Sequence, residues 1–150
     1  MKLSILAAAL LASIGFMSTS AMAEDSATIS STATVRATCN FIQHEASLNF
    51  GVLDPASQLD ATATASLDYQ CTRGSQALVT LNGGSNSNQL VNADSSSSIE
   101  QSLTTVGGNQ VGLGYGLPLT YNVSSTIAYD NYKQAKAGLH NSTMIVTIAP

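Results

Sequence analysis

Apolar and polar residues alternate along much of this chain with a period of two. From Ala27 to Cys39, the positions Ala27, Ile29, Ala33, Val35, Ala37 and Cys39 fall on one side, with Ser31 as the one weak member. Thr28, Ser30, Thr32, Thr34, Arg36 and Thr38 fall on the other. A period of two marks a strand with one buried face. The same rhythm predicts further strands. Leu48, Phe50 and Val52 form a short one. Ala63, Ala65, Leu67, Tyr69 and Cys71 make a clean one-sided strand, followed by Ala77, Val79 and Leu81. Val111, Leu113, Tyr115, Leu117, Leu119, Tyr121 and Val123 alternate with Gly112, Gly114, Gly116, Pro118, Thr120 and Asn122. Met144, Val146 and Ile148 complete the series. Asp54-Pro55, Thr72 to Ser75, Asn82 to Ser85 and Gly107 to Asn109 are turn signals between these runs. Helical periodicity over any length is absent. Short strands with such punctuation predict an all-β sandwich. The stretch from Gly84 to Gln101 is poor in apolar residues and reads as an exposed excursion between strands. Asp130 to Asn141 is expected to form a loop or one helical turn.

The first 23 residues follow another logic. Lys2, an apolar run from Leu3 to about Met17, and Ala21-Met22-Ala23 have the layout of a secretory signal peptide with its cleavage site. The apolar run is shorter than the roughly 20 residues a membrane span needs. Cleavage after Ala23 leaves 127 of the 150 residues, enough for one domain with a real core. It also leaves Arg36, Arg73, Lys133 and Lys136 against nine acidic residues, a net charge near −5. So acidic a chain, with no basic cluster, is a poor candidate for nucleic acid.

Cys39 and Cys71 both survive processing. In an oxidising compartment two such cysteines are expected to pair, the competing reading being two buried free thiols. A metal site is disfavoured, because two cysteines and two distant histidines show no ligand spacing. Catalytic chemistry has little support. His44 and His140 are the only imidazoles, and no G-x-S-x-G elbow presents a serine nucleophile. Asp54 and Asp60 flank a loop and read as solvated turn residues. Gly112-Leu113-Gly114-Tyr115-Gly116 lacks the spacing of a dinucleotide loop. Its glycines read better as a bare sheet face or as points of close backbone approach. Tyr115, Tyr121, Tyr129 and Tyr132 are candidates for a sugar platform, but tyrosine is ordinary strand material. The Asn122-Val-Ser124 and Asn141-Ser-Thr143 sequons are expected by chance in a chain this rich in Asn, Ser and Thr.

Four pieces, in order, resemble the spore coat protein U domain used by archaic chaperone–usher pilins. They are the alternating segment ending in Cys39; Leu48-Asn49-Phe50-Gly51; Leu67 to Gly74 with its Cys-Thr-x-Gly core; and the ending Gly138 to Ile148. The resemblance implies an incomplete immunoglobulin-like β-sandwich completed by an N-terminal donor strand from a neighbouring subunit. It implies three parts: a signal peptide over 1–23, a donor-strand segment over 24–36 and a pilin domain over 37–150. The donor face would be Ala27, Ile29, Ser31, Ala33 and Val35. The implied partners are identical or homologous pilus subunits, a periplasmic chaperone and an outer-membrane usher. The implied destination is the cell surface, reached through the periplasm, with no enzymatic activity and no cofactor. Two other readings compete: a secreted, self-contained coat or matrix sandwich that buries Ala27 to Val35 itself, and a carbohydrate-binding adhesin module.

Overall fold

A computed structural model describes residues 25–82 and 88–150. The proposed signal peptide and the Gly83 to Ser85 part of one turn signal lie outside the described residues. The body of the fold is Thr34–Pro150. The described residues ahead of it, 25–33, are exposed and form no strand.

The body is antiparallel throughout. One sheet has the order β1-β2-β7-β6, with β1 at Cys39–Phe41, β2 at Ala61–Cys71, β6 at Ser102–Val106 and β7 at Leu119–Ile127. β2 and β7 are its spine, in register from Ala61↔Ile127 to Tyr69↔Leu119. Their alternation explains the sheet. Ala63, Tyr69, Cys71, Tyr121, Val123 and Ile127 point into the core, whereas Thr62, Thr64, Ser66, Asn122 and Ser124 face out. The facing sheet pairs β3 (Leu78–Asn82) with β9 (Ile145–Ala149). A third, small sheet is built from β4 (Gln89–Asn92), β5 (Ser98–Glu100) and β8 (His140–Asn141), in the order β5-β4-β8.

Two apolar clusters fill the sandwich. Tyr69, Cys71, Ala77, Val79, Tyr121 and Val123 form one, near the Cys39–Cys71 disulfide (S–S 2.00 Å). Ile99, Ile127 and Tyr132 form the other, beside the single helical turn α1 (Tyr129–Tyr132). We call these the disulfide end and the helical end. Buried tyrosines keep their hydroxyls satisfied, as a polar group out of water must. Tyr69 donates to the Gly107 carbonyl (2.9 Å) and Tyr132 to the Leu59 carbonyl (2.6 Å). Burial pushes the Tyr69 phenol above its ordinary pKa.

Three sequence expectations need correction. The alternating run from Val111 becomes a strand only at Leu119; Val111 makes one isolated bridge to Gln76. Gly114 (φ +113°) and Gly116 (φ +87°) turn the backbone out of extended geometry, and the residues between 111 and 117 form a loop. Gly112 is the point of close approach: a Cβ there would lie 2.3 Å from the Thr72 carbonyl oxygen. Leu48 to Val52 is likewise not a strand. Asn49 accepts the Gly51 N–H through its own side chain (2.8 Å), a local turn that competes with ladder pairing. Leu48 and Phe50 still pack half-buried against the two clusters. Finally, the serine-rich excursion contains the β4–β5 hairpin, with Asn92, Ile99 and Gln101 buried. Its turn is organised by side chains: Asn92 Oδ1 accepts from Ser97 N (3.0 Å) and Asp94 Oδ1 from Ser96 N (3.0 Å).

Candidate functional site

The two main sheets are unequal, and this inequality makes the site. A seven-strand immunoglobulin-type sandwich has four strands, A-B-E-D, on one side and three, C-F-G, on the other. Here β1-β2-β7-β6 reproduces A-B-E-D, and β3-β9 reproduces C-F. Among the described residues nothing takes the place of G, which would lie on the free edge of β9.

The direction of the backbone groups on that edge follows from β3. Ala77 N donates to Gln110 O (2.8 Å) and Val79 N to Gly108 O (2.7 Å), so these residues bond away from β9. Val79 pairs with Ile148 and Leu81 with Val146. In an antiparallel ladder such pairs turn their main-chain groups outward on both strands. The N–H and C=O groups of Val146 and Ile148 therefore point to the open edge. An edge of this kind is a template for another strand.

A groove of about 1170 Å³ opens beside this edge. Its walls are the non-strand segment from Gln43 to Leu53 and the segment from Ala137 to Val146, and its floor reaches both core clusters at Val123 and Ile127. Leu48, Phe50, Leu81, Met144 and Val146 line it and are only half-buried, although each faces inward. The core is short of one strand's worth of side chains along this line.

The predicted donor residues stand outside the body's strands. Ala27, Ile29, Ser31, Ala33 and Val35 are all exposed, Ile29 at 94% and Val35 at 81%. Cys39 and Cys71 are joined, tying the first strand to β2 next to the point where this segment leaves the body. Thr38 is fixed there by Thr72, whose N–H donates to the Thr38 carbonyl (2.9 Å).

The alternatives gather little. His44 and His140 both line the groove. His140 Nε2 lies 3.2 Å from Ser97 Oγ and Nδ1 3.1 Å from the Gly138 carbonyl. No carboxylate is among these partners of His140, and no group of three His, Cys, Asp or Glu side chains clusters for a metal among the described residues. The four candidate tyrosines do not share a surface: Tyr121 and Tyr132 are core, Tyr129 packs edge-on to Tyr132 (5.6 Å), and Tyr115 sits on the exposed loop. Asp54 accepts from Ala56 N (2.9 Å) and Asp60 from Tyr129 N (2.7 Å), both organising loops at the helical end. Lys136 bonds Asp94 Oδ2 (2.6 Å) and, with Ser96, holds that carboxyl down at about 2.

The residues that the sequence did not single out are those along the free edge of β9 and the groove beside it. The signal for them was the ending Met144-Val146-Ile148, read as an ordinary strand; what the alternation alone does not show is that its second edge has no neighbour. No curated protein matches the chain. The Spore Coat Protein U domain matches residues 25–138, a span that takes in the exposed N-terminal segment and most of the sandwich, and the chain belongs to that family.

Proposed function

We propose that this protein is a structural subunit of a chaperone–usher type surface pilus, polymerising by donor-strand exchange, and that the groove beside β9 accepts the N-terminal segment of the next copy. The family is associated with chaperone–usher pili. The observation that carries the reading is the pairing of two complementary deficits in one chain. β9 has a free edge over a half-filled core, and Ala27 to Val35 is an alternating segment with no core of its own.

The chemistry is strand addition: main-chain hydrogen bonds give affinity, and alternate side chains fill the pockets. Burying Ile29 and Val35 would contribute roughly 1.5–3 kcal/mol each. Ala27, Ser31 and Ala33 add little area and suit a shallow floor. A contact between the leading segment of one copy and the groove of another is heterologous and does not close, so repetition yields a fibre. A chaperone occupying the groove before assembly and an outer-membrane usher that receives the complex belong to this reading. So do export through the periplasm and the absence of enzymatic chemistry. Exposure of Ile29 and Val35 speaks against the self-contained coat protein, and the dispersal of the tyrosines against a sugar platform.

The test is Ile29→Asp or Val35→Asp. Each variant is expected to be exported and to bind its chaperone, because the groove is untouched, yet to give no fibres by electron microscopy. Normal fibres from both variants refute the donor assignment.

A further inference from the structure

A polar link crosses the otherwise apolar interior beside the groove. On β7, Val123 and Ile127 point inward and are buried, and Ser125 between them is buried too, at 1% exposed. The Ser125 hydroxyl donates to Gln101 Oε1 (2.8 Å), and Gln101 Nε2 donates to Ser142 Oγ (3.3 Å). Gln101 is itself only 6% exposed. Ser142 falls on the half-buried side of the alternation that continues through Met144 and Val146. The link therefore runs from the floor to the segment that leads into the open strand β9.

This seam divides the two apolar clusters. Val123 belongs to the cluster at the disulfide end and Ile127 to the one at the helical end. Leu81 and Val146 line the groove on the first side, Phe50 and Leu90 on the second. Gln101 and Ser142 line it as well, and their connection to Ser125 places them between the two sides. A buried polar link is weak evidence for stability; its best-attested use is to fix a register.

The donor face carries the same order of chemistry. Ala27 and Ile29 precede Ser31, and Ala33 and Val35 follow it. Alternation alone leaves the register open in steps of two. A one-residue slip turns the apolar face outward, but a two-residue slip keeps it inward. Such a slip carries the Ser31 hydroxyl over an apolar side and sets an apolar side chain on the seam. Ser31 is the midpoint of the donor face, so the match holds whichever way the segment runs through the groove. A hydroxyl donates one hydrogen bond and accepts two. Ser142 Oγ, accepting from Gln101, has its own O–H left to donate.

We propose that Ser31 sets the register of the inserted strand, its hydroxyl bonding Ser142 Oγ at the end of the Ser125–Gln101 link. The proposal rests on the donor-strand reading and adds to it the alignment that the groove selects. The occupant is the segment Ala27 to Val35 of a second copy. With Ser31 on the seam, two facing side chains cover each apolar side.

The test is fluorescence anisotropy of labelled peptides with the sequence of Ala27 to Val35, bound to the full chain. Ser31→Ala in the peptide is expected to weaken binding about 3- to 10-fold, the range of one hydrogen bond. On a Ser142→Ala protein, with a thermal melt run in parallel, the parent and Ser31→Ala peptides are expected to bind alike. A second measurement leaves the protein untouched. A peptide carrying Ile29→Ser with Ser31→Ile keeps the composition and the alternation. Held in register it puts isoleucine on the seam; shifted to seat its serine there, it leaves part of one apolar side uncovered. It is expected to bind at least about 10-fold more weakly than the parent. A Ser31→Ala loss of the same size on both proteins, no such loss on the parent protein, or an exchanged peptide that binds as well as the parent overturns the register contact and leaves the donor strand standing. A parent peptide that does not bind at all sinks the donor-strand reading, and the register with it.

Discussion

Replacing Val146 with proline tests the free edge of β9 directly. The Val146 N–H points away from β3, so its removal breaks no bond of the β3–β9 ladder. Proline is tolerated in an edge strand when its missing N–H faces outward. The fold is expected to survive, losing about 1 kcal/mol from trimmed packing of a half-buried side chain. Acceptance of a donor strand is another matter. Val146 and Ile148 offer two N–H and two C=O groups to an incoming strand. The proline removes one of them and leaves a carbonyl of the incoming strand unpaired in a closing groove. At about 1–3 kcal/mol for a buried unsatisfied acceptor, affinity falls roughly 5- to 150-fold. The assay is fluorescence anisotropy of a labelled peptide with the sequence of Ala27 to Val35, with a thermal melt run in parallel. Thr147→Pro is the contrasting variant: Thr147 bonds toward β3 at Thr80, so it should lower the melting temperature. Unchanged peptide affinity in a folded Val146→Pro protein refutes the assignment of that edge.

Two further outcomes follow from the disulfide end. Gly112→Ala places a methyl 2.3 Å from the Thr72 carbonyl oxygen and 2.8 Å from Cys71 Cβ, contacts with backbone and core that cannot yield cheaply; overpacking of this kind costs about 1–3 kcal/mol, read as a lower denaturant midpoint, and a neutral result refutes the close approach. Converting Cys39 and Cys71 together to serine opens a loop of sequence separation 32, which the chain-entropy relation values at about 3–4 kcal/mol; chemical denaturation of the double variant measures it, and a loss below 1 kcal/mol would refute the relation here.

The parts of the fold that period two made legible are those whose alternation is closed by a partner in the same chain. β2 was plain because each inward residue from Ala63 to Cys71 meets the opposite sheet or β7, and each outward one is Thr, Ser, Asp or Gln. Failures came where local chemistry overrides the period. From Val111 to Leu117 the sequence alternates as well as any strand, but its even positions include three glycines, and positive φ at Gly114 and Gly116 converts the run to a loop that shows its apolar side to solvent. In the serine run the opposite happened. Asn92 and Asp94 fold polar residues into a hairpin turn, and Ile99, with Leu90 packed beside it, carries the hairpin to the core.

The groove illustrates a deeper reason why a site of this kind is only half legible. The residues that line it, Leu48, Phe50, Leu81 and Val146, have the same apolar identity as any core residue; what distinguishes them is that they are only half covered. Burial of an apolar side chain is favourable roughly in proportion to area wherever the cover comes from. An alternating segment therefore encodes a strand without encoding whose strand it is. In Ala27 to Val35 the pattern runs as in β2 but for Ser31, yet Ile29 and Val35 remain exposed while the inward face of β9 remains half covered. Two unmet demands of matching chemistry in one polypeptide are met at once if each copy covers the next, and the same geometry that leaves the monomer incomplete then drives its repetition.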